Sequence, residues 1–350
     1  MRTSHAGLGR ITGGDLARKA PAGVPTNLRS RVRPGRSGAA VGSRLPTSAV
    51  LGFAVLLLLS SLALLPTSAG AVRSTWHPIR VAPVRLPKPA VFITPGLNVP
   101  NPFVTKVDGL YFMFASQGRL YVPVTLLVSS SLTNWASTAL DPLPILPKWA
   151  QSGFTWSPDV RRVGQRYVMW FNAALASDKA SIPIKCIGAA TATSVLGPYV
   201  SAERKPIVCQ RSHFGSIDPR TFLDPAGHLW LIWKSDDNAE WTPSTHTTIY
   251  SQRLSANGLH LLGKPTALLS ADRKWEKGII EAPEMVFAGG KYWLFFSGNW
   301  FNQPSYGIGL AQCAGPTGPC KPSSPGVWLG SNAQGSGPGE ETVFFDGSRW

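Results

Sequence analysis

Carboxylates are scarce in this chain, 18 Asp and Glu among 350 residues, so acids that return at one place in successive segments carry information. Four segments share a Pro, an apolar run, a turn containing Gly and an aromatic-rich run. They are Asn101-Pro102 before FVTKVDGLYFMF, Ser157-Pro158 before DVRRVGQRYVMWF, Asp218-Pro219 before RTFLDPAGHLWLIW and Ala282-Pro283 before EMVFAGGKYWLFF. Beside those prolines stand Asn101, Asp159, Asp218 and Glu281. If the segments are structurally equivalent, all four side chains project into one cleft. Two carboxyl groups that converge on a cleft can divide labour: one protonates a leaving oxygen and the other activates water, as hydrolysis of a glycosidic bond requires. Asn101 breaks the pattern, because a neutral amide cannot take a proton from water.

Such a set needs elements that return to one axis. The prolines at 102, 158, 219 and 283 lie roughly 55 to 65 residues apart, room for four short strands and their turns. Alternating hydrophobicity around a Gly turn predicts a β-hairpin in each segment, and helical periodicity is hard to find beyond the first 70 residues or so. A fifth copy begins near Gly339 with EETVFFDGSRW. The expectation is an all-β, five-bladed β-propeller with its Pro-containing starts on the innermost strands, rather than a β-sandwich. The fifth blade is expected to be truncated at Trp350, leaving sheet edges open to association.

Composition bounds the rest. The formal net charge is +16, but nine Lys and Arg and only one acid, Asp15, precede residue 45, so half of the excess sits in a basic leader, 1–47. The remainder has no Lys/Arg stripe with interleaved aromatics, which excludes a nucleic-acid partner. Residues 48–66, TSAVLGFAVLLLLSSLALL, carry no charge and follow the basic segment, and small residues run from Ser68 to Ala71. Residues 48–71 therefore read as a signal peptide core with its cleavage site, or as an uncleaved membrane anchor through 48–66. A linker, 72–84, leads to the propeller, 85–350. Four cysteines in an exported chain, Cys186 with Cys209 and Cys313 with Cys320, read as two local disulfides, although four allow three connectivities. The CxxC spacing of a zinc site is absent.

The segments TWSPDV at 155–160, GSIDPRTFLDPAGHLWLIWKSD at 215–236 and IIEAPEMVFAGGKYWLFFSGNWF at 279–301, with AQCAGPTGPC at 311–320 and GPGEE at 337–341, resemble glycoside hydrolase family 43. The resemblance runs over about residues 85–350 and implies a five-bladed propeller of the arabinofuranosidase, xylosidase and arabinanase kind. It implies that Glu281 is the general acid and Asp218 the acid that tunes and orients it. At the general-base position, an Asp before Pro in the first blade, this chain has Asn101. Asp159 is then the best-placed replacement base, whereas Asp108 reads as a turn residue.

Trp156, Phe154, Trp300 and Phe301 stand beside these motifs and suit walls on which a sugar's apolar face stacks, or equally the space between blades. Glu340 falls where the family often has a His near a central metal or water, which leaves room for a structural Ca2+ on the axis but no required cofactor. His213, Asp224 and Gly227 read as structural. The expectation is a monomeric, secreted or surface-anchored inverting glycosidase acting on arabinose- or xylose-containing polysaccharides or oligosaccharides. The alternative is a carbohydrate-binding protein whose base is lost at Asn101.

Overall fold

The structure, a computed structural model, describes residues 99–116, 122–201, 203–333 and 335–350, all within the compact unit Gly70–Trp350. The leader 1–47, the apolar stretch 48–71 and the linker 72–84 lie outside the described residues. Among the described residues no α-helix forms, and no helix is long and apolar enough to cross a membrane.

The strands form four antiparallel sheets, each built from strands consecutive in the chain. The first holds β1 (Phe103–Val107), β2 (Leu110–Ala115), β3 (Thr125–Ser129) and β4 (Ala136–Ser137). The second holds β5 (Trp156–Val163), β6 (Arg166–Ala174) and β7 (Lys185–Ala192), with single bridges from Ile187 to Val208 and Thr191 to Val200 where a fourth strand would lie. In the third are β8 (Ser216–Leu223), β9 (Leu229–Ser235), β10 (Thr248–Leu254) and β11 (Leu261–Ser270). The fourth has β12 (Ile280–Ala288), β13 (Lys291–Gly298), β14 (Gly307–Cys313) and β15 (Cys320–Pro322). These are four blades of a β-propeller.

The second strand of each blade shows why these sequences choose this fold. A strand buried on both faces needs apolar side chains at odd and even positions alike. In β6, Met169 and Phe171 pack into a core with Phe103, Phe112 and Phe114 of the first sheet, while Val168 and Trp170 pack the other way against Leu229, Leu231 and Trp233 of the third. Ile232 of β9 in turn meets Leu294 and Phe296 of β13, whose alternate residues Trp293 and Phe295 face Trp328, Val343 and Trp350. Each aromatic run thus seals two neighbouring interfaces.

Residues 339–350, which the sequence pattern marks as a fifth repeat, form no strand. They run between the fourth sheet and the first: Thr342 Oγ1 donates to the Pro102 carbonyl at 3.1 Å, Lys106 Nζ to that of Asp346 at 3.0 Å, and Phe344 lies 6.2 Å from the Tyr111 ring. Both expected disulfides are present, Cys186–Cys209 at the edge of the second sheet and Cys313–Cys320 across β14 and β15.

Candidate active site

The site is built from an irregularity at the start of each first strand. Proline has no N–H for the ladder, and the pairing of first with second strand slips between Trp156 and Asp159, Ile217 and Arg220, and Glu281 and Glu284. The residue before each Pro takes a left-handed backbone: Asn101 at φ 51°, Ser157 at 50°, Asp218 at 55° and Ala282 at 47°. Glu340 shares it at 54°, although Glu341 and not Pro follows. Left-handed non-glycine residues are uncommon, and a bulge of this kind re-aims side chains out of the strand. The sequence suggests one common acid position, but the structure separates three. Asn101, Ser157, Asp218 and Glu340 occupy the bulge, Glu281 precedes it by one residue, and Asp159 follows it by two.

The bulge residues are laced to one another. Ser116 Oγ accepts from the Ser157 N–H at 2.9 Å and donates to Asn101 Oδ1 at 2.6 Å; Asn101 Nδ2 donates to Glu340 Oε1. Asp218 receives Ser157 Oγ–H on Oδ1 at 2.8 Å and the Ala282 N–H on Oδ2 at 3.1 Å, while its own N–H donates to Asn172 Oδ1 at 3.2 Å. Ser297 Oγ accepts from the Glu340 N–H at 2.9 Å. Side chains from all four sheets and from segment 339–341 therefore form one circuit.

Glu281 is buried and held at both oxygens, by Lys234 Nζ at 3.1 Å and by Tyr306 Oη at 2.7 Å. Burial pushes its carboxyl above the ordinary glutamate range; Lys234 opposes this and the charge of Asp218 adds to it. Burial works against the charge on Lys234, but the carboxylates of Glu281, Asp236 and Asp218 prevail and hold its pKa up. Asp236 is buried and paired with Lys185 Nζ at 3.0 Å, so it is part of this charge cluster. Burial and the negative charges of Asp218 and Glu281 raise Glu340 to about 8. Lys185, Lys234 and Tyr306 escape the sequence reading because no repeat pattern marks them; the signal available was a Lys inside the apolar run LWLIWKS.

Asp159 lies elsewhere. It is fully buried, accepts from Thr221 Oγ1 at 2.5 Å and shares a layer with Arg161 and Arg220. The Arg220 guanidinium donates to the carbonyls of Pro158 at 3.2 Å and Pro102 at 3.1 Å and lies 3.6 Å from Glu284. Among the described residues no group of three or more His, Cys, Asp or Glu is placed to hold a metal ion.

Of the aromatic residues, Trp156 directly precedes the second bulge, with Lys185 Nζ 5.2 Å from its ring and Phe154 6.3 Å away. Trp300 meets Trp241 edge-on at 5.7 Å, and Phe301 is 73% exposed. Trp241 is a further exposed aromatic that the repeat pattern does not flag. His213 bonds Asp237 at 3.0 Å, and Asp108 and Asp224 sit in hairpin turns, Asp224 Oδ1 accepting from the N–H groups of Ala226 and His228.

A family model for glycosyl hydrolases family 43 matches residues 94–350. The chain belongs to this family. It is 22% identical over 259 residues to the extracellular endo-alpha-(1->5)-L-arabinanase 2 of Bacillus subtilis (strain 168), covering 64% of this chain and 50% of that protein. To the extracellular exo-alpha-(1->5)-L-arabinofuranosidase of Streptomyces avermitilis it is 24% identical, over 63% of this chain and 47% of that one. It thus spans about half the length of these curated relatives. The crystal structure of a thermostable family-43 glycoside hydrolase superposes with a TM-score of 0.65 at 24% identity, over 73% of this chain and 83% of its own, a likeness of fold.

Proposed function

We propose that this family 43 member is an exported glycosidase that cleaves arabinose-containing polysaccharides with inversion, Glu281 acting as general acid and Asp218 as the group that orients and tunes it. The observation that carries the reading is the setting of Glu281. A general acid must hold its proton at working pH, and burial beside the Asp218 carboxylate favours the protonated form. Lys234 and Tyr306 fix the carboxyl group, and Asp218, with both oxygens bonded, is itself rigid. Trp156, Trp300 and Phe301, with Trp241, supply apolar faces for sugar rings. The two disulfides and the extracellular relatives support export. In this reading segment 339–350 takes the place of a fifth blade's first strand. Arg220 donates to the Pro102 and Pro158 carbonyls and so places a positive charge beside the first two bulges.

The test is hydrolysis of linear arabinan, aryl α-L-arabinofuranoside and aryl β-D-xyloside by the chain and its Glu281→Gln variant, with product configuration read by NMR. Arabinoside cleavage with inversion, reduced about 10²- to 10⁴-fold by the substitution, is the expected result. Asn101 favours one other reading, a carbohydrate-binding protein without turnover. In that case arabino-oligosaccharides bind, measured by calorimetry, and none is cleaved.

A further inference from the structure

Resting on the hydrolytic reading, we propose that Glu340 is the base that takes the proton of the attacking water, and that Asn101 is its positioning residue. The hydrogen bonds give Asn101 one orientation. An ionised Glu340 can only accept, so the amide N–H₂ faces its Oε1, and Asn101 Oδ1 is left to accept from Ser116 Oγ, which itself accepts from the Ser157 N–H. An amide donor is the complement of a carboxylate. Glu340 Oε1 is thereby anchored, the Asn101 backbone N–H also faces the carboxyl group, and the residue is partly exposed, so water can reach it.

Other acids are worse placed. Asp218 is bonded at both oxygens. Asp159 and Glu284 are buried in the Arg220 layer, and Glu341 Oε2 turns to Ser297. Glu340 alone among them is a partly exposed bulge residue in the field of both Asp218 and Glu281. In the step itself the water oxygen bonds to the anomeric carbon as the glycosidic C–O bond breaks. The Glu281 proton passes to the leaving oxygen and a water proton to Glu340; solvent then returns each carboxyl to its starting state. Asp218, Glu281, Arg220 and Tyr306 are the titratable and charged groups that face Glu340, so the rising limb of its pH profile reports that cluster.

Kinetics of Glu340→Ala, Glu340→Gln, Asn101→Ala and Asn101→Asp on an activated aryl arabinofuranoside, with and without sodium azide, test the assignment. Azide attacks without surrendering a proton, so a site lacking only its base regains turnover and yields a glycosyl azide of inverted configuration. The expected result is a loss of about 10²- to 10⁴-fold in both Glu340 variants, recovered at least tenfold by azide, which a folding defect would not allow. Asn101→Ala should move the rising limb of the pH profile, and Asn101→Asp, which sets a second carboxylate against Glu340, should bring no gain. Activity of Glu340→Ala within threefold of the parent, with Glu281→Gln silent, overturns the assignment and leaves the hydrolytic reading standing. So does a silent parent that Asn101→Asp awakens. Silence of parent and variants alike on every arabinoside removes the hydrolytic reading and this inference together.

Discussion

At the scale of the residue, the site is a set of carboxyl groups whose proton affinities are set by burial and by one another. Glu341 isolates the effect. Burial raises its pKa to about 7 from the ordinary glutamate value of 4.5, and Oε1 has no hydrogen-bond partner among the described residues. Because the folded chain holds this proton more tightly than the unfolded one, the fold loses stability as pH rises from 4.5 through about 7. Glu341→Gln removes that loss. The variant should unfold at higher temperature than the parent at pH 8, by an amount equivalent to about 1–3 kcal/mol, and the two should converge near pH 4.5 in calorimetric scans. Lys234 makes the corresponding prediction for catalysis. Its charge lowers the Glu281 pKa, so Lys234→Met should carry the alkaline limb of the kcat/KM profile to higher pH. A limb that stays in place would separate the acid from this lysine.

Among the elements, the bulge that opens each first strand decides where chemistry can sit, and it was partly legible. Proline spacing marked the strand starts, and Asp218 and Glu281 stood out as acids beside them. What the pattern could not show is that one residue's displacement along a bulged strand changes the side chain's destination. Asp159, one position past Pro158, is buried under Thr221, whereas Ser157 holds the place it was expected to fill. The lysines were illegible for a similar reason: Lys185 opens β7 and Lys234 lies next to the end of β9, positions no repeat shares, and only three-dimensional pairing reveals their partners. Gly339 shows how tightly the next bulge is fitted, since a Cβ there would overlap the Tyr306 ring. Gly339→Ala should cost about 1–3 kcal/mol in urea unfolding. It should also lower kcat/KM by displacing the hydroxyl that holds Glu281. The Cys186–Cys209 bridge, 23 residues apart in sequence, acts on the same scale; replacing both with Ser should cost roughly 3 kcal/mol by the same measurement.

For the whole molecule, the propeller was legible in the sequence because each aromatic strand must cover two neighbours, but five blades were expected and the described residues form four, since segment 339–350 has the fifth repeat's pattern and forms no strand. Its packing nevertheless covers the face of the fourth sheet turned away from the third, where Val343 and Trp350 meet Trp293 and Phe295. Deleting 339–350 should bare that face, lower the melting temperature and promote light-scattering aggregates, an outcome that static scattering during a thermal ramp reads directly. The same segment joins residues 239 positions apart when Asn101 meets Glu340. A contact so distant in sequence carries a high loop-closure cost and forms late in folding. A ribosome releases the first blade's share of the cleft long before residue 340, and the nascent chain can assemble sheets in the order they emerge. The circuit of acids, however, waits for residue 340, so a polypeptide stalled or nicked before it is folded in part but chemically mute.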